Sequence, residues 1–288
     1  MINIINRPTS NHRPHKKITL SNILIYIVFA LMTAVILYPL IYIAAGSFMN
    51  LSEISRNYGK IFYLIPYRAT LNNYYNVFIS TPAYLVKFWI SMFITLTITA
   101  GQLAVSCLAG YGFAKFRFPL KNVFFYLLVI LMMMPFQVSL VPNYIMLSKM
   151  GLIGSYASVI IPGIFAPFGI FLLKQVYSSI PDSMIEAAKI DGANHLQILL
   201  RIIIPYAKTG IAALFILCFI DNWNMVEQPL IFLKDSYKYP LSVFLSIINN
   251  YRLDIAFVCS VLAMLPVAIV FLYLKESLVY GIENANLK

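Results

Sequence analysis

Several residues that could bind a polar solute stand together after a long apolar run in this 288-residue chain. They are Asp221, Asn222, Trp223, Asn224 and Glu227. Carboxylate and amide groups hydrogen-bond to hydroxyl groups, and an aromatic ring covers the apolar face of a sugar ring. An acid inside an apolar segment is costly and usually faces a cavity or a protein partner. The cluster therefore suits a path for a hydroxyl-rich solute such as a sugar.

Helical spacing supports this interpretation and leaves a simpler one open. On a continuous helix, Asp221, Asn224 and Gln228 would share one face, because they stand at positions i, i+3 and i+7. In the simpler interpretation, Trp223 anchors the helix at the membrane interface, and both Asp221 and Glu227 reach the outer water.

Two further polar residues, Gln137 and Asn143, stand close to prolines. Pro135 and Pro142 each free a backbone carbonyl that needs a partner inside a membrane. Gln137 and Asn143 could therefore line the same path. Prolines also serve simply to kink helices, and that alternative stays open.

No pattern of catalytic residues accompanies these side chains. The sequence lacks a G-x-x-x-x-G-K-[ST] loop, H-E-x-x-H, G-x-S-x-G and CxxC. Cys107, Cys218 and Cys259 each stand alone in apolar surroundings, so we expect them to pack as small core residues. We expect no enzymatic activity, no catalytic residue, no metal site and no cofactor in this chain.

The composition places the chain in a membrane. Hydrophobic residues make up 61% of the sequence and charged residues 11%, against about 25% charged in a soluble domain. The mean hydropathy is +0.82. These values exclude both an ordinary soluble domain and a disordered chain. The net charge of +11 is then more simply explained by basic inner loops than by a nucleic-acid partner, which we do not expect.

Six stretches are long enough to cross a bilayer, which takes about 20 mostly apolar residues. They are residues 23–48, 88–114, 123–147, 156–173, 209–232 and 255–274. The fifth spans only if Asp221 faces protein or water. Basic residues are more frequent before the first span and after the second, fourth and sixth, so both termini are expected inside. The first span is longer than a signal-peptide core and is expected to remain as an anchor.

The inner segment 174–208 carries a structured element of its own. A helical pattern opens at Pro181 and Asp182, and Pro205 interrupts it. We expect two short helices that meet near Asp191 and Gly192, because glycine adopts positive φ at helix ends.

This inner segment resembles the EAA loop found in permease subunits of ABC importers. The matching residues are Glu186, Ala187, Ala188, Asp191, Gly192 and Ala193, followed by Pro205. Other positions extend the resemblance to the carbohydrate branch of that family, the maltose-permease-like subunits with the shorter chain. Those positions include Asn73-Tyr74, Tyr111 to Lys115, Pro181 and Trp223-Asn224. The sequence departs from the family at Met225-Val226 and in its glycine-poor C-terminal end.

The resemblance implies an all-α polytopic membrane protein with six transmembrane helices and the type I ABC importer permease fold. It implies a cytoplasmic tail at residues 1–21, a permease domain at 22–280 with a coupling loop at about 179–205, and a second cytoplasmic tail at 281–288. The residues matching the EAA loop would dock on a separate ATPase. The small alanines allow close approach, and Gly192 permits a bend.

The implied function is ATP-driven import of a carbohydrate, in particular an oligosaccharide, across a bacterial cell membrane. The implied partners are an ATPase dimer that binds ATP and Mg²⁺, a second homologous permease subunit and an extracytoplasmic solute-binding protein. That binding protein would dock on residues 49–87 and 233–254.

Two alternatives differ in substrate or energy source. Import of a glycerol phosphate ester would call for Arg or Lys facing the path, and spans two to six contain almost none. An ion-coupled secondary transporter would instead use Asp221 and Glu227 as coupling acids.

Overall fold

The computed structural model describes residues 20–57, 63–248 and 252–285. Within these ranges every regular element is helical, so the predicted all-α fold is confirmed. The helices are α1 (Leu20–Gly46), α2 (Leu51–Arg56), α3 (Asn72–Tyr75), α4 (Ala83–Lys115), α5 (Lys121–Met133), α6 (Phe136–Lys149), α7 (Ala157–Ile164), α8 (Pro167–Ser178), α9 (Asp182–Ile190), α10 (His195–Ile198), α11 (Ile204–Tyr206), α12 (Lys208–Trp223), α13 (Glu227–Phe232), α14 (Leu241–Ile248) and α15 (Leu253–Ala285). Wider π-helical turns follow α3 at Asn76–Ser80 and join α10 to α11 at Leu199–Ile203.

The predicted tails fall largely outside this description. Residues 1–19, most of the predicted N-terminal tail, lie outside the described residues, as do 286–288. Helix α15 continues to Ala285, so it passes the predicted domain boundary at residue 280 without a break.

Four stretches are long and apolar enough to cross a membrane without a sharp bend, and one of them comprises α7 and α8. They are Ile23–Gly46, Ala83–Lys115, Ala157–Ser178 and Leu253–Glu276. Two helix pairs reach the required length only when both helices are counted together, and both pairs are sharply bent: α5 with α6 at 104°, and the α10–α11 segment with α12 at 81°. The first, second, fourth and sixth predicted spans correspond to the four stretches, and the third corresponds to the α5–α6 pair. The fifth predicted span shares only α12 with the second bent pair.

The third predicted span, 123–147, is not one continuous helix. Helix α5 ends at Met133, and Met134 is extended at φ −70° and ψ 131°. A residue that precedes proline is pushed out of the helical region by the proline ring, and Pro135 follows Met134. The break at Pro135 is therefore a local consequence of the sequence.

The fifth predicted span, 209–232, is also interrupted. Helix α12 ends at Trp223, and α13 begins at Glu227. In a continuous helix Pro229 would remove the hydrogen bond to the carbonyl of Met225 and would clash with it. Since Asn224 lies at the end of α12, the expected shared stripe of Asp221, Asn224 and Gln228 on one helix is wrong.

Helix α4 forms the centre of the bundle, and glycines let its neighbours come close. A Cβ atom on Gly163 of the α7–α8 span would lie 2.7 Å from Cγ2 of Ile98, and one on Gly169 would collide with the hydroxyl of Ser106. On α4 itself, a Cβ on Gly101 would lie 2.6 Å from Ile164. Close helix approach through small residues replaces the hydrophobic driving force that is missing inside a bilayer.

The N-terminal end of α4 is tied to a later loop by Lys87. Its ammonium group donates to the backbone carbonyl of Ser236 and, at 2.9 Å, to that of Tyr237. One turn further along, the hydroxyl of Ser91 accepts from the backbone N–H of Leu241 at 2.7 Å. These bonds satisfy a buried charge and fix the segment before α14 against α4.

The three cysteines are all buried, which confirms the prediction that they pack as core residues. Helix α1 differs from the other spans, since none of its most apolar window is buried within this chain. The C-terminal part of α1 rests on α15, where Tyr42 meets Phe257 edge-on with ring centroids 5.6 Å apart.

Candidate functional site

Helix α9, in the predicted coupling loop, has one buried face and one uncovered face. Ile185 and Ala188 turn inward and pack in the cluster that includes Tyr177 and Ile198. The exposed residues in the second half of α9 and the turn that follows it are Glu186, Ala187, Lys189, Ile190, Asp191 and Gly192. Ile190 is 87% exposed and places an apolar side chain between the charged residues Lys189 and Asp191.

The end of α9 is fixed by Gly192. Its φ of +80° lies in the left-handed region that favours glycine. Its N–H donates to the carbonyl of Lys189, and the N–H of Ala193 donates to that of Ala188, both at 3.0 Å. This pair of bonds is a Schellman motif, which ends a helix. The predicted bend at Gly192 is confirmed.

The next helix starts two residues later with a capping box. The Asn194 side chain accepts from the N–H of Gln197 at 2.8 Å, and the Gln197 side chain accepts from the N–H of Asn194 at 2.9 Å. These reciprocal bonds satisfy two N–H groups that helix starts leave free. Pro205 stands exposed in α11, just before the 81° bend into α12.

Lys115, the last residue of α4, holds the start of α9. Its Nζ donates to the carbonyl of Ile180 at 2.5 Å and to Oδ1 of Asp182 at 2.7 Å. The Lys115 side chain is 7% exposed, whereas that of Asp182 is 76% exposed. The hydrogen bond and charge of Lys115 hold the pKa of Asp182 below its usual value.

His195 holds the second half of the loop to the same end of α4. Its ring meets Phe116 edge-on at 4.7 Å between centroids. Its Nδ1 lies 3.4 Å from the hydroxyl of Tyr111. Both helices of the loop are therefore attached to the last turn of α4.

Within the predicted solute path, Trp223 lies in the core. The residue is 4% exposed, and its Nε1 donates to the carbonyl of Ala263 on α15 at 3.0 Å. Its ring stacks on Phe219 at 5.8 Å and meets Phe88 edge-on at 5.7 Å. In this arrangement Trp223 neither offers a face to a solute nor anchors at an interface, because it joins α12 to α15.

The other members of the cluster are more accessible. Asp221, Asn224 and Glu227 are exposed, and Asn222 is half-buried. The amide of Asn222 donates to the carbonyl of Cys218 at 2.7 Å, and that of Asn224 to the carbonyl of Ile220 at 2.9 Å. These bonds leave the amide oxygens available as acceptors.

The structure brings Gln137 and Glu227 together from separate spans. Nε2 of Gln137 lies 3.2 Å from each carboxylate oxygen of Glu227. Each residue stands in the first turn of a helix that begins after a break, α6 and α13 respectively. Asn143 lies six residues further along α6 and is half-buried.

Sequence reasoning missed three residues that shape the site: Lys115, His195 and Ile190. Tyr111 to Lys115 belonged to the family resemblance, but nothing in the sequence assigned Lys115 to Asp182, 67 residues away. Ile190 occupies a variable position of the loop motif. Its apolar character beside charged neighbours was the available signal.

Comparisons with known sequences identify relatives over most of the chain. Residues 102–282 match the family described as binding-protein-dependent transport system inner membrane component. The arabinooligosaccharides transport system permease protein AraQ of Halalkalibacterium halodurans is 30% identical over 270 residues, covering 92% of this chain and 96% of the relative. AraQ of Bacillus subtilis is 31% identical, covering 90% and 93%. The sn-glycerol-3-phosphate permease protein UgpE of Escherichia coli K12 is 32% identical, covering 70% and 73%.

Solved structures share the fold. A chain of a bacterial ABC transporter involved in the import of the acidic polysaccharide alginate superposes with a TM-score of 0.78 at 24% identity, covering 94% of this chain and 99% of that one. A chain of the alginate transporter in complex with a pentasaccharide-bound periplasmic protein gives a TM-score of 0.60 at 14% identity, covering 90% and 96%.

Proposed function

The chain belongs to the family of binding-protein-dependent transport system inner membrane components, and we propose that it imports a carbohydrate, in particular an oligosaccharide, as one transmembrane subunit of an ATP-driven transporter. It is a multi-pass membrane protein and not an enzyme. The observation that carries the substrate class is the similarity to arabinooligosaccharide permease proteins along nearly the whole chain. An extracytoplasmic binding protein delivers the solute.

The uncovered face of α9 is the proposed docking surface for the ATPase. Glu186 offers a charge, Ala187 allows close backbone approach, and Ile190 supplies the apolar contact. Ala188 supports the helix from its buried side, and the turn at Gly192 sets the angle of the next segment. ATP and Mg²⁺ would bind to that ATPase, a dimer, and not to this chain.

A second homologous permease subunit is the proposed partner within the membrane. Helix α5 has no buried residue in this chain, and α1 is similarly uncovered. Two uncovered spans leave room for an interface between subunits as well as for lipid. Orientation with both termini cytoplasmic would place α9 on the side where ATP is available, and residues 49–87 and 233–254 on the side of the binding protein.

The proposed solute path runs past the exposed polar residues near the two helix breaks. Asp221, Asn224 and the Gln137–Glu227 pair offer acceptors and donors for sugar hydroxyls. Asn222 and Asn143 border it as half-buried amides.

Import of a glycerol phosphate ester is the second candidate, because UgpE proteins are also relatives. A phosphate group needs Arg or Lys donors. Lys87 at the outer end of α4 already binds the carbonyls of Ser236 and Tyr237, and Lys115 at its inner end binds Asp182. This arrangement favours a neutral substrate. Family membership likewise favours ATP over an ion gradient as the energy source.

A pull-down tests the proposed docking surface on α9. The tagged chain would be isolated from its native membrane in mild detergent, and copurifying proteins would be quantified by mass spectrometry. We expect an ATPase with a nucleotide-binding loop to copurify with the wild type. It should be absent from preparations of Glu186→Arg/Gly192→Trp, while the second permease stays bound. Glu276→Arg/Gly151→Trp is the matched control, since Glu276 is exposed and Gly151 has positive φ with open space around it.

Transport by the reconstituted complex tests the substrate class. Proteoliposomes loaded with ATP should accumulate a labelled oligosaccharide in the presence of the binding protein, and not glycerol 3-phosphate. Isolation of the chain without any ATPase, under conditions that keep a known importer intact, would contradict the proposal.

A further inference from the structure

Four basic residues crowd the turn between α4 and α5. They are Lys115, Arg117, Lys121 and Lys174, and the positive charges of the other three all act on Lys121. Among the described groups that act on Lys121, the one carboxylate is that of Asp182, which is bonded to Lys115. The turn therefore holds three cations that no carboxylate neutralises within the described part of the chain.

The three remaining cations are arranged around the turn in different ways. Nζ of Lys121 donates to the carbonyl of Phe116 at 2.9 Å. Nζ of Lys174 lies 4.5 Å above the ring centroid of Phe125. The Arg117 side chain is exposed, and neither of the salt bridges found among the described residues includes it. Arg117 and Lys121 thus keep donors available for an anion.

A shallow, open cavity of about 320 Å³ lies at this turn, with two of the cations, Arg117 and Lys121, in its lining. It is lined by Arg117, Phe118, Leu120, Lys121, Asn122 and Val123. Leu120 has φ +60°, the left-handed region that a side chain of this type rarely adopts. A strained backbone of this kind persists only when its surroundings fix it, and it often marks a functional site.

The position of the cavity limits what can bind there. It lies at the membrane boundary, because α4 spans up to Lys115 and the bent pair that begins with α5 starts at Lys121. Leu120 is 65% exposed, and Val123 and Phe124 are about half exposed. The lining therefore combines two cations with exposed apolar side chains, which fits an anion that carries hydrocarbon chains.

We propose that this turn binds the phosphate headgroup of an anionic phospholipid such as phosphatidylglycerol. Arg117 and Lys121 bind the phosphate, since guanidinium and ammonium groups are strong donors to phosphate oxygens. Asn122 adds an amide donor to the same cavity, and Leu120 and Val123 contact the acyl chains. Inorganic phosphate and soluble phosphate esters share the headgroup chemistry, but they would leave the apolar side chains of the lining uncovered.

Native mass spectrometry of the full-length chain in mild detergent tests the proposal. Phosphatidylglycerol, phosphatidylcholine of the same acyl length and inorganic phosphate would be titrated separately. We expect one phosphatidylglycerol to bind with clear preference over phosphatidylcholine, and no comparable binding of inorganic phosphate. Arg117→Gln/Lys121→Gln should weaken phosphatidylglycerol binding by about 30-fold, since each basic residue near an anionic surface contributes about 1 kcal/mol.

The control variant removes two positive charges from residues outside the cavity. Lys149→Gln/Lys234→Gln changes two exposed basic residues outside the cavity and should leave binding unchanged. Arg117→Lys/Lys121→Arg keeps both charges and should retain most of the affinity. Equal affinity of the wild type for the two lipids, equal binding of inorganic phosphate, or equal losses in both double glutamine variants would each overturn the proposal. The lipid preference of the wild type needs no variant, so it stands even if a substitution prevents folding.

Discussion

Gln137 and Glu227 are hydrogen-bonded although 90 residues separate them in the chain, with Nε2 of the glutamine 3.2 Å from both carboxylate oxygens. The contact joins the break between α5 and α6 to the break between α12 and α13. A transporter that alternates between two conformations must move some spans relative to others, and a bond between two helix breaks is placed to respond to such movement. Both residues were independently predicted to line the solute path.

Replacement of Glu227 by Gln should reduce solute uptake more than ATP hydrolysis. The change removes the negative charge that accepts from Gln137 and keeps the size of the side chain. The bond from Gln137 then becomes a neutral one and loses about 1 kcal/mol of charge assistance, so the initial uptake rate should fall about fivefold in proteoliposomes. Gln137→Ala should have a similar effect, and the double variant should be no worse than either single one. Additive losses would show that the two residues act separately.

Replacement of Gly192 by Ala should weaken the coupling loop without any steric clash. A Cβ at this position would meet no atom within 4 Å, so the cost comes from the positive φ alone and amounts to about 1 kcal/mol. Thermal unfolding would measure the loss of stability, and ATPase copurification would measure the effect on docking. Gly192→Asn should be milder, because Asn tolerates the left-handed region.

Gly112→Ala is the matched control for Gly192→Ala. Gly112 lies within α4, and a Cβ there would also meet nothing within 4 Å. Since alanine favours helices, this variant should be neutral or slightly more stable. Equal destabilisation by both substitutions would contradict the role assigned to the backbone of Gly192.

Trp223→Phe should lower stability and leave solute affinity unchanged. The variant keeps an aromatic ring against Phe219 and loses the hydrogen bond to Ala263, at a cost of about 1 kcal/mol. Unfolding would be followed by intrinsic fluorescence and uptake by its half-saturation concentration. Trp89 is 63% exposed, so Trp89→Phe should leave stability nearly unchanged. A changed half-saturation concentration in Trp223→Phe would place its ring in the solute path.

The contact between Lys115 and Asp182 should depend on pH in one direction. Lys115 lowers the pKa of Asp182 in the folded protein below its value of 3.8 in the absence of partners. A lowered folded-state pKa gives stability that is fully present above the unfolded pKa and is lost as the pH falls through the folded pKa. The stability that this contact contributes should therefore be constant from pH 7 to pH 5 and decrease below about pH 4.

Asp182→Asn and Lys115→Met test this contact as a pair. Hydrogen exchange of the amides in α9 would report local opening between pH 3 and pH 7. Both variants should open α9 at neutral pH, and Asp182→Asn should lose the acid-induced component. An unchanged acid response in Asp182→Asn would assign the effect to another group.

Much of this fold could be predicted from the apolar stretches, and the corrections came from prolines. The sequence located at least one helix of each of the six stretches, since a bilayer imposes a fixed length on each span, although the helix of the fifth ends at Trp223. Pro135 and Pro229 then broke two of them, because a proline excludes the preceding residue from the helix or removes a hydrogen bond one turn earlier. Gly192 could be predicted because the need for positive φ is local.

Placement around the helix axis was harder to predict. Inside a bilayer both the buried and the lipid-facing sides of a helix are apolar, so the sequence does not reveal which side Trp223 occupies. The contacts of His195 with Tyr111 and of Lys115 with Asp182 join residues 84 and 67 positions apart. Such contacts depend on how whole helices pack and carry no local signal.

Helix α4 is fastened at both ends by ammonium groups, Lys87 to the carbonyls of Ser236 and Tyr237 and Lys115 to the start of α9. At 1.5 Å per residue, the two lysines are about 42 Å apart along the helix axis. The helix therefore links the segment before α14 directly to the start of α9. If α4 tilted as a rigid body by about 5° about its Lys115 end, its Lys87 end would move by about 4 Å, given the length of the helix.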